Sequence, residues 1–118
     1  MKIGIIGSGR VGYSMGKYMQ DHGIRVTGFY DRHRERALDA AQFTGTDSFD
    51  RIEDLVAASD TLFLTTSDGE IANVWDCIRH LSIQGKIICH FSAGESFIIV
   101  SIFHGFCVDF SVPFLVTF

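Results

Sequence analysis

A chain of 118 residues, 47% of them hydrophobic, fits one compact domain with one core, and a net charge of -4 excludes general affinity for nucleic acid or an anionic membrane surface, since both need clustered positive potential. Cys77, Cys89 and Cys107 are odd in number and fall in neither a CxxC nor a Cys/His ligand spacing, so they read as reduced core thiols and not as a disulfide framework or a zinc site. Met1-Lys2 leads straight into a strand-like run without a secretory pattern, which makes a cytoplasmic location the default expectation.

Ile3-Gly4-Ile5-Ile6 is a short apolar run closed by glycine, as expected of a strand buried on both faces of a parallel sheet. From Arg10 to about His22, Val11, Met15, Tyr18 and Met19 recur at helical spacing, and Gly23 stands where a left-handed C-cap would end the helix. Residues 25–30 read as a second strand and 32–42 as a second helix, with Ala37, Ala40 and Ala41 free to pack closely on a sheet. Asp50 with Glu53 three positions on has the form of a capping box, opening a short helix that turns Ile52, Leu55 and Val56 inward and ends at Asp60. Residues 61–65 form the next buried strand. Ser67 or Asp68 can then cap a helix with Ile71, Val74, Trp75, Ile78 and Leu81 on one stripe, and residues 86–91 make a further strand. Short apolar strands alternating with amphipathic helices, without hairpin turn signals, predict an α/β fold of Rossmann type: a single domain with a doubly wound, mainly parallel sheet.

All ten Lys and Arg precede Ser92, and only Glu95 and Asp109 carry charge after it. Residues 1–92 therefore read as one unit and 93–118 as an apolar tail. Asp109, His104 and Pro113 interrupt that tail and no Lys or Arg flanks it, which argues against a bilayer anchor and for one or two extra strands. A homodimer would bury its apolar groups across an interface.

The chemistry lies in Gly7-Ser8-Gly9-Arg10-Val11-Gly12, a GxGxxG sequence that follows a buried strand and opens a helix. Asp31 stands nineteen positions beyond Gly12 at the end of the next strand, as the dinucleotide fingerprint requires. Gly7 permits the tight turn, Gly9 admits the pyrophosphate to the backbone, and Gly12 lets the helix approach the sheet. The helix N-terminus then offers unpaired amides and a positive dipole end to the phosphates. Asp31 alone favours NAD, because a carboxylate there accepts ribose hydroxyls and repels a 2′-phosphate. Arg32, His33, Arg34 and Arg36 follow at once, and a guanidinium at Arg32 can pair with that phosphate and stack on adenine. The balance falls on NADP, with NAD as the alternative and Arg34 and Arg36 read as a solvated helix face.

Residues 1 to about 92 resemble the N-terminal domain of the NAD(P)-binding oxidoreductases related to pyrroline-5-carboxylate reductase and 6-phosphogluconate dehydrogenase. Within that group they are most similar to a subgroup with an uncharacterised helical C-terminal domain. The resemblance rests on Gly7 to Gly12, Tyr30-Asp31-Arg32, Ser59-Asp60-Thr61-Leu62-Phe63-Leu64 with Ser67-Asp68 and Ile71, and Gly85-Lys86-Ile87-Ile88 leading into His90-Phe91-Ser92. It implies that Arg32 meets the 2′-phosphate, that the Thr65-Thr66-Ser67 loop borders the nicotinamide-side ribose, and that a helical partner domain completes the substrate pocket. It ends after Ser92, where Ala93-Gly94-Glu95 and a phenylalanine-rich segment replace the expected glycine and polar helix. A shifted frame or truncated gene product would explain the change.

His90 and Ser92 close a strand on the side where α/β sheets hold ligands, yet no acid is placed to complete a triad, so both read as local backbone partners. Trp75 reads as packing, and His22 and His80 as cations near helix C-termini, with no metal spacing. The expected function is the cofactor-binding part of an NAD(P)-dependent oxidoreductase, not a complete enzyme as an isolated chain. A stand-alone nucleotide-binding or sensor module, or a non-functional fragment, are the alternatives.

Overall fold

The computed structural model describes residues 1–66, 68–91, 96–103 and 106–113, with side chains described up to Cys89 except at positions 67–69 and 71. In chain order the elements are β1 (Ile3–Ile6), α1 (Arg10–Asp21), β2 (Val26–Tyr30), α2 (Arg34–Thr44), β3 (Asp47–Ser48), α3 (Ile52–Ala58), β4 (Thr61–Leu64), α4 (Asp68–Ile78), β5 (Ile87–Phe91), β6 (Ser96–Phe103) and β7 (Phe106–Pro113). They build a sheet of order β3-β2-β1-β4-β5-β6-β7. The first five strands in that order pair in parallel, and β6 and β7 continue the sheet antiparallel from β5.

Alternation along β1 distributes the core over both sheet faces. Ile3 and Ile5 join Met15, Met19, Phe29, Ala37 and Ala40 under α1 and α2, whereas Ile6 joins Leu55, Val56, Leu62, Leu64, Ile78, Ile83 and Ile88 under α3 and α4. The sheet is doubly wound, as the alternating pattern requires. Strand order reverses between β1 and β4, the switch point at whose carboxyl edge open α/β sheets hold ligands.

Several local expectations are corrected. The buried stripe of α1 is Gly12, Met15, Gly16 and Met19, while Val11 and Tyr18 are exposed. A Cβ at Gly16 would lie 2.4 Å from Phe29 Cζ, so α1 packs on the sheet through glycines that a search for apolar side chains overlooks. Helix α2 begins two residues later than expected because the Asp31 carboxylate accepts the His33 amide at 2.8 Å, an Asx-turn that holds residues 31–33 out of the helix. It also runs on to Thr44, where Gly45 at φ 71° takes the left-handed cap and Thr46 N donates back to Ala41 O. No capping box opens α3: Arg51 is its N-cap without a side-chain bond, Asp50 is drawn to Arg34 at 3.0 Å, and Glu53 pairs with Arg51 at 3.0 Å. Strand β3 was not expected, since two residues show no periodicity. It forms where Gly28 lets the chain come close, a Cβ there lying 2.2 Å from Asp47 O. Cys89 is a buried thiol, pushed up to about 11 by desolvation, but Cys77 is exposed and not a core residue.

Candidate functional site

A cavity of about 550 Å³ opens at the switch point. One end is made by the loop from β1 to α1. Gly7 sits at φ 102°, a conformation L side chains rarely adopt, and a Cβ there would lie 2.9 Å from Thr66 N. A Cβ at Gly12 would lie 2.2 Å from Gly7 O and 2.5 Å from Thr65 Oγ1, so this glycine closes the turn on itself. Gly9 differs: a Cβ there meets nothing within 4 Å, and its backbone faces open cavity. Gly9 is the N-cap of α1 without a side-chain cap, the first turn carries no acid, and the first helical bond is Tyr13 N to Gly9 O at 2.9 Å. The amides before Tyr13 therefore have no helical partner, and they carry the positive end of the helix dipole.

The loop is tied to β2 at both ends of its turn. Gly7 N donates to Tyr30 O at 2.8 Å, and Ser8 donates through N and Oγ to Asp31 Oδ2, each at 2.9 Å. Burial pushes the Asp31 carboxyl up, but the Ser8 and His33 amides, the Ser8 hydroxyl and the charge of Arg36 outweigh it and hold the group below its ordinary value. Oδ2 has both lone pairs taken and Oδ1 has one taken by His33, so Asp31 keeps one acceptor position for a ligand. Across the switch point, Thr65 is buried and its hydroxyl donates to Gly7 O at 2.5 Å, which braces the turn. Thr66 Oγ1 is buried without a hydrogen-bond partner among the described residues, and Thr66 lines the cavity.

The other end lies between the β2–α2 turn and α4. Arg32, His33 and Arg36 line it from one side, Glu70, Asn73 and Cys77 from the other, with Tyr30, Ile52 and Val74 as its apolar part. Arg32 Nη1 reaches Glu70 Oε1 at 3.2 Å. Of the residues singled out from the sequence, the fold brings Gly7, Gly9, Arg10, Val11, Asp31, Arg32, His33, Thr65 and Thr66 to one cavity. Ser8 and Gly12 stand behind it as its framework. Ser67, Ser92 and the side chain of His90 lie outside the described residues. Arg36 is exposed, as a solvated helix face requires, and it also lines the cavity, whereas Arg34 turns away to Asp50. Glu70, Asn73 and Cys77, which no sequence motif marks, line the cavity as well. Their spacing of three, then four, residues puts them on one helical face, but that face shows its purpose only once α4 is placed beside α2's start. Among the described residues no cluster of His, Cys, Asp or Glu could hold a metal, and no helix is long and apolar enough to cross a membrane.

An uncapped helix N-terminus and open space above Gly9, in a cavity that Thr66 also lines, suit a phosphate-linked nucleotide. The family model of the GFO/IDH/MocA oxidoreductase family, NAD-binding Rossmann fold, matches residues 1–88, and the chain belongs to that family. No curated protein matches it significantly. Among solved structures it is similar to 3-hydroxyisobutyrate dehydrogenase of Mycobacterium tuberculosis, with 18% identity and a TM-score of 0.69 over 77% of this chain and 31% of that one. It is also similar to the imine reductase of Myxococcus stipitatus, with 20% identity and a TM-score of 0.65 over 80% and 33%. UDP-N-acetylglucosamine 3-dehydrogenase GnnA of Acidithiobacillus ferrooxidans shares 23% identity at a TM-score of 0.61 over 68% and 26%. At these identities the likeness concerns the fold, and the chain spans about a quarter to a third of the length of those structures.

Proposed function

We propose that the chain binds NADP, with NAD as the weaker alternative, as the cofactor-holding part of an oxidoreductase. The observation that carries the choice is the commitment of Asp31: three of its four acceptor positions serve Ser8 and His33, while Arg32, His33 and Arg36 line the same end of the cavity. The imine reductase of Myxococcus stipitatus was solved with NADP+ and its V8 variant with NAD+, in keeping with one fold serving either cofactor.

The nicotinamide group, when bound, supplies the hydride donor or acceptor. The chain's own residues bind and orient. The amides of Arg10 and Val11 and the open backbone of Gly9 hold the pyrophosphate. Arg32 takes the 2′-phosphate, with His33 and Arg36 raising the local positive potential. Thr66 offers its free hydroxyl on the nicotinamide-side ribose, beside Ser67, while Thr65 keeps the glycine turn in shape. Residues 1–92 form this unit and 93–118 a tail that supports a homodimer. Substrate contacts are proposed to come from other regions, as the matched enzymes are far longer than the matched part. Kinship with pyrroline-5-carboxylate reductase and 6-phosphogluconate dehydrogenase, and a cytoplasmic location, belong to the same reading.

Calorimetric titration with NADPH and NADH tests it. NADPH is expected to bind more tightly, and Arg32→Ala to weaken it about tenfold, or about 1.4 kcal/mol, with NADH unchanged. Tighter binding of NADH than of NADPH, or an NADPH affinity unchanged by Arg32→Ala, would assign the site to NAD and Arg32 to the surface. Binding without turnover on added substrates fits a cofactor module as well as part of an enzyme.

A further inference from the structure

We propose that Glu70 is a specificity-determining residue, whose carboxylate competes with the cofactor's 2′-phosphate for Arg32; the inference rests on the assignment of Arg32 made above. Glu70 stands in the first turn of α4 and Arg32 in the turn between β2 and α2, and both line the cavity. Their contact, Arg32 Nη1 to Glu70 Oε1 at 3.2 Å, spans two separate walls of the site. The side chains are 67% and 33% exposed, so the pair lies at the mouth where a ligand enters, and an exposed pair of this kind adds little to folding. Arg34, by contrast, pairs with Asp50, which does not line the cavity.

The chemistry follows from charge. Glu70 occupies part of the guanidinium fork that a phosphate would engage, and a phosphate monoester of about two negative charges near pH 7 is repelled by a carboxylate on the same partner. To bind, such a group must first displace Glu70 from Arg32. A ribose bearing only hydroxyls leaves the pair intact. Glu70 thus lowers affinity for the phosphorylated cofactor while sparing the other, which narrows the preference Arg32 confers.

The test is titration calorimetry of the full chain and its Glu70→Gln, Arg32→Ala and doubly substituted forms with 2′,5′-ADP and 5′-AMP, two probes that differ in the 2′-phosphate. Denaturation midpoints read from Trp75 fluorescence control for folding. Glu70→Gln is expected to tighten 2′,5′-ADP about three- to tenfold at low salt, to leave 5′-AMP within twofold, and to lose most of that gain at high salt, where charges are screened within a few ångströms. The gain is expected to shrink when Arg32 is also alanine. Weaker 2′,5′-ADP binding by Glu70→Gln would overturn the proposal, since Glu70 would then position Arg32, and so would an unchanged affinity. If Arg32→Ala leaves the two probes equal to wild type, or if neither probe binds, the underlying assignment fails along with it. An Arg32 effect without a Glu70 effect defeats the inference alone.

Discussion

At the glycine-rich end of the cavity the surface is backbone: Gly7 in a positive-φ turn, Gly9 facing open space, and the first amides of α1. At the other end it is side chains, with Arg32, His33 and Arg36 facing Glu70, Asn73 and Cys77 across the groove between α2 and α4. The first end is held by the hydrogen bonds of Gly7 to Tyr30, Ser8 to Asp31 and Thr65 to Gly7, and it leaves no room for a Cβ at Gly7 or Gly12, so it has one shape. The second carries an exposed charge pair, Arg32 with Glu70, which solvent and ligand can rearrange. Under the proposed function, phosphate binding common to all dinucleotides falls to the rigid end, and discrimination between them to the adjustable one.

Substitutions can break that division, and the largest effect belongs to the rigid end. Gly12→Ala drives a methyl group into Gly7 O and Thr65 Oγ1, and a loss of about 3 kcal/mol is expected in urea denaturation, as for an overpacked core. A loss below about 1 kcal/mol would mean that the turn yields. Gly9→Val should separate binding from stability: with nothing within 4 Å of its Cβ, stability is expected to change by less than about 1 kcal/mol, while dinucleotide affinity falls about a hundredfold, or about 2.7 kcal/mol, in the calorimeter.

Asp31 joins the two ends, since it accepts from Ser8 on one side and His33 on the other. Asp31→Asn is expected to cost about 1 kcal/mol at neutral pH, discounted because the carboxylate is part exposed. Its folded pKa lies below the ordinary 3.8, so the carboxylate's contribution is fully present above that value and is lost as pH falls through the folded one. Denaturation curves of wild type and Asp31→Asn should therefore differ by a constant amount from pH 7 to about 5 and converge below about pH 4. A difference that survives at low pH would place the effect in packing. The smallest effect sharpens the adjustable end: Arg34→Ala, which removes only the Asp50 pair, is expected to change stability by less than about 0.5 kcal/mol and to leave NADPH affinity unchanged.

Much of this was legible in the residues. Most strands and helices follow from runs and periods, and the GxGxxG spacing with Asp31 picks out the glycine turn that the fold brings to the switch-point cavity, because which positions lack a Cβ is written in the chain. The sequence reading fails where another residue's side chain takes over a polar group, whether two or sixteen positions away. Asp50 looked like a helix cap, but Arg34 sits beside it in space; residues 32 and 33 looked helical, but Asp31 captured the His33 amide. The α1 stripe departs from its apolar period for a related reason, since Gly16 matters only against Phe29 and Gly12 against Gly7 and Thr65.

Glycine spacing, strand-helix alternation and apolar periodicity are properties of the chain itself, and they were enough to determine a doubly wound α/β fold and the glycine turn at its switch point. Which way Asp31 spends its lone pairs, which arginine faces the cavity and which acid meets it were decided only by tertiary structure. A charged side chain is long, flexible and solvated, and it takes its partner from whatever the packed elements bring within about 4 Å.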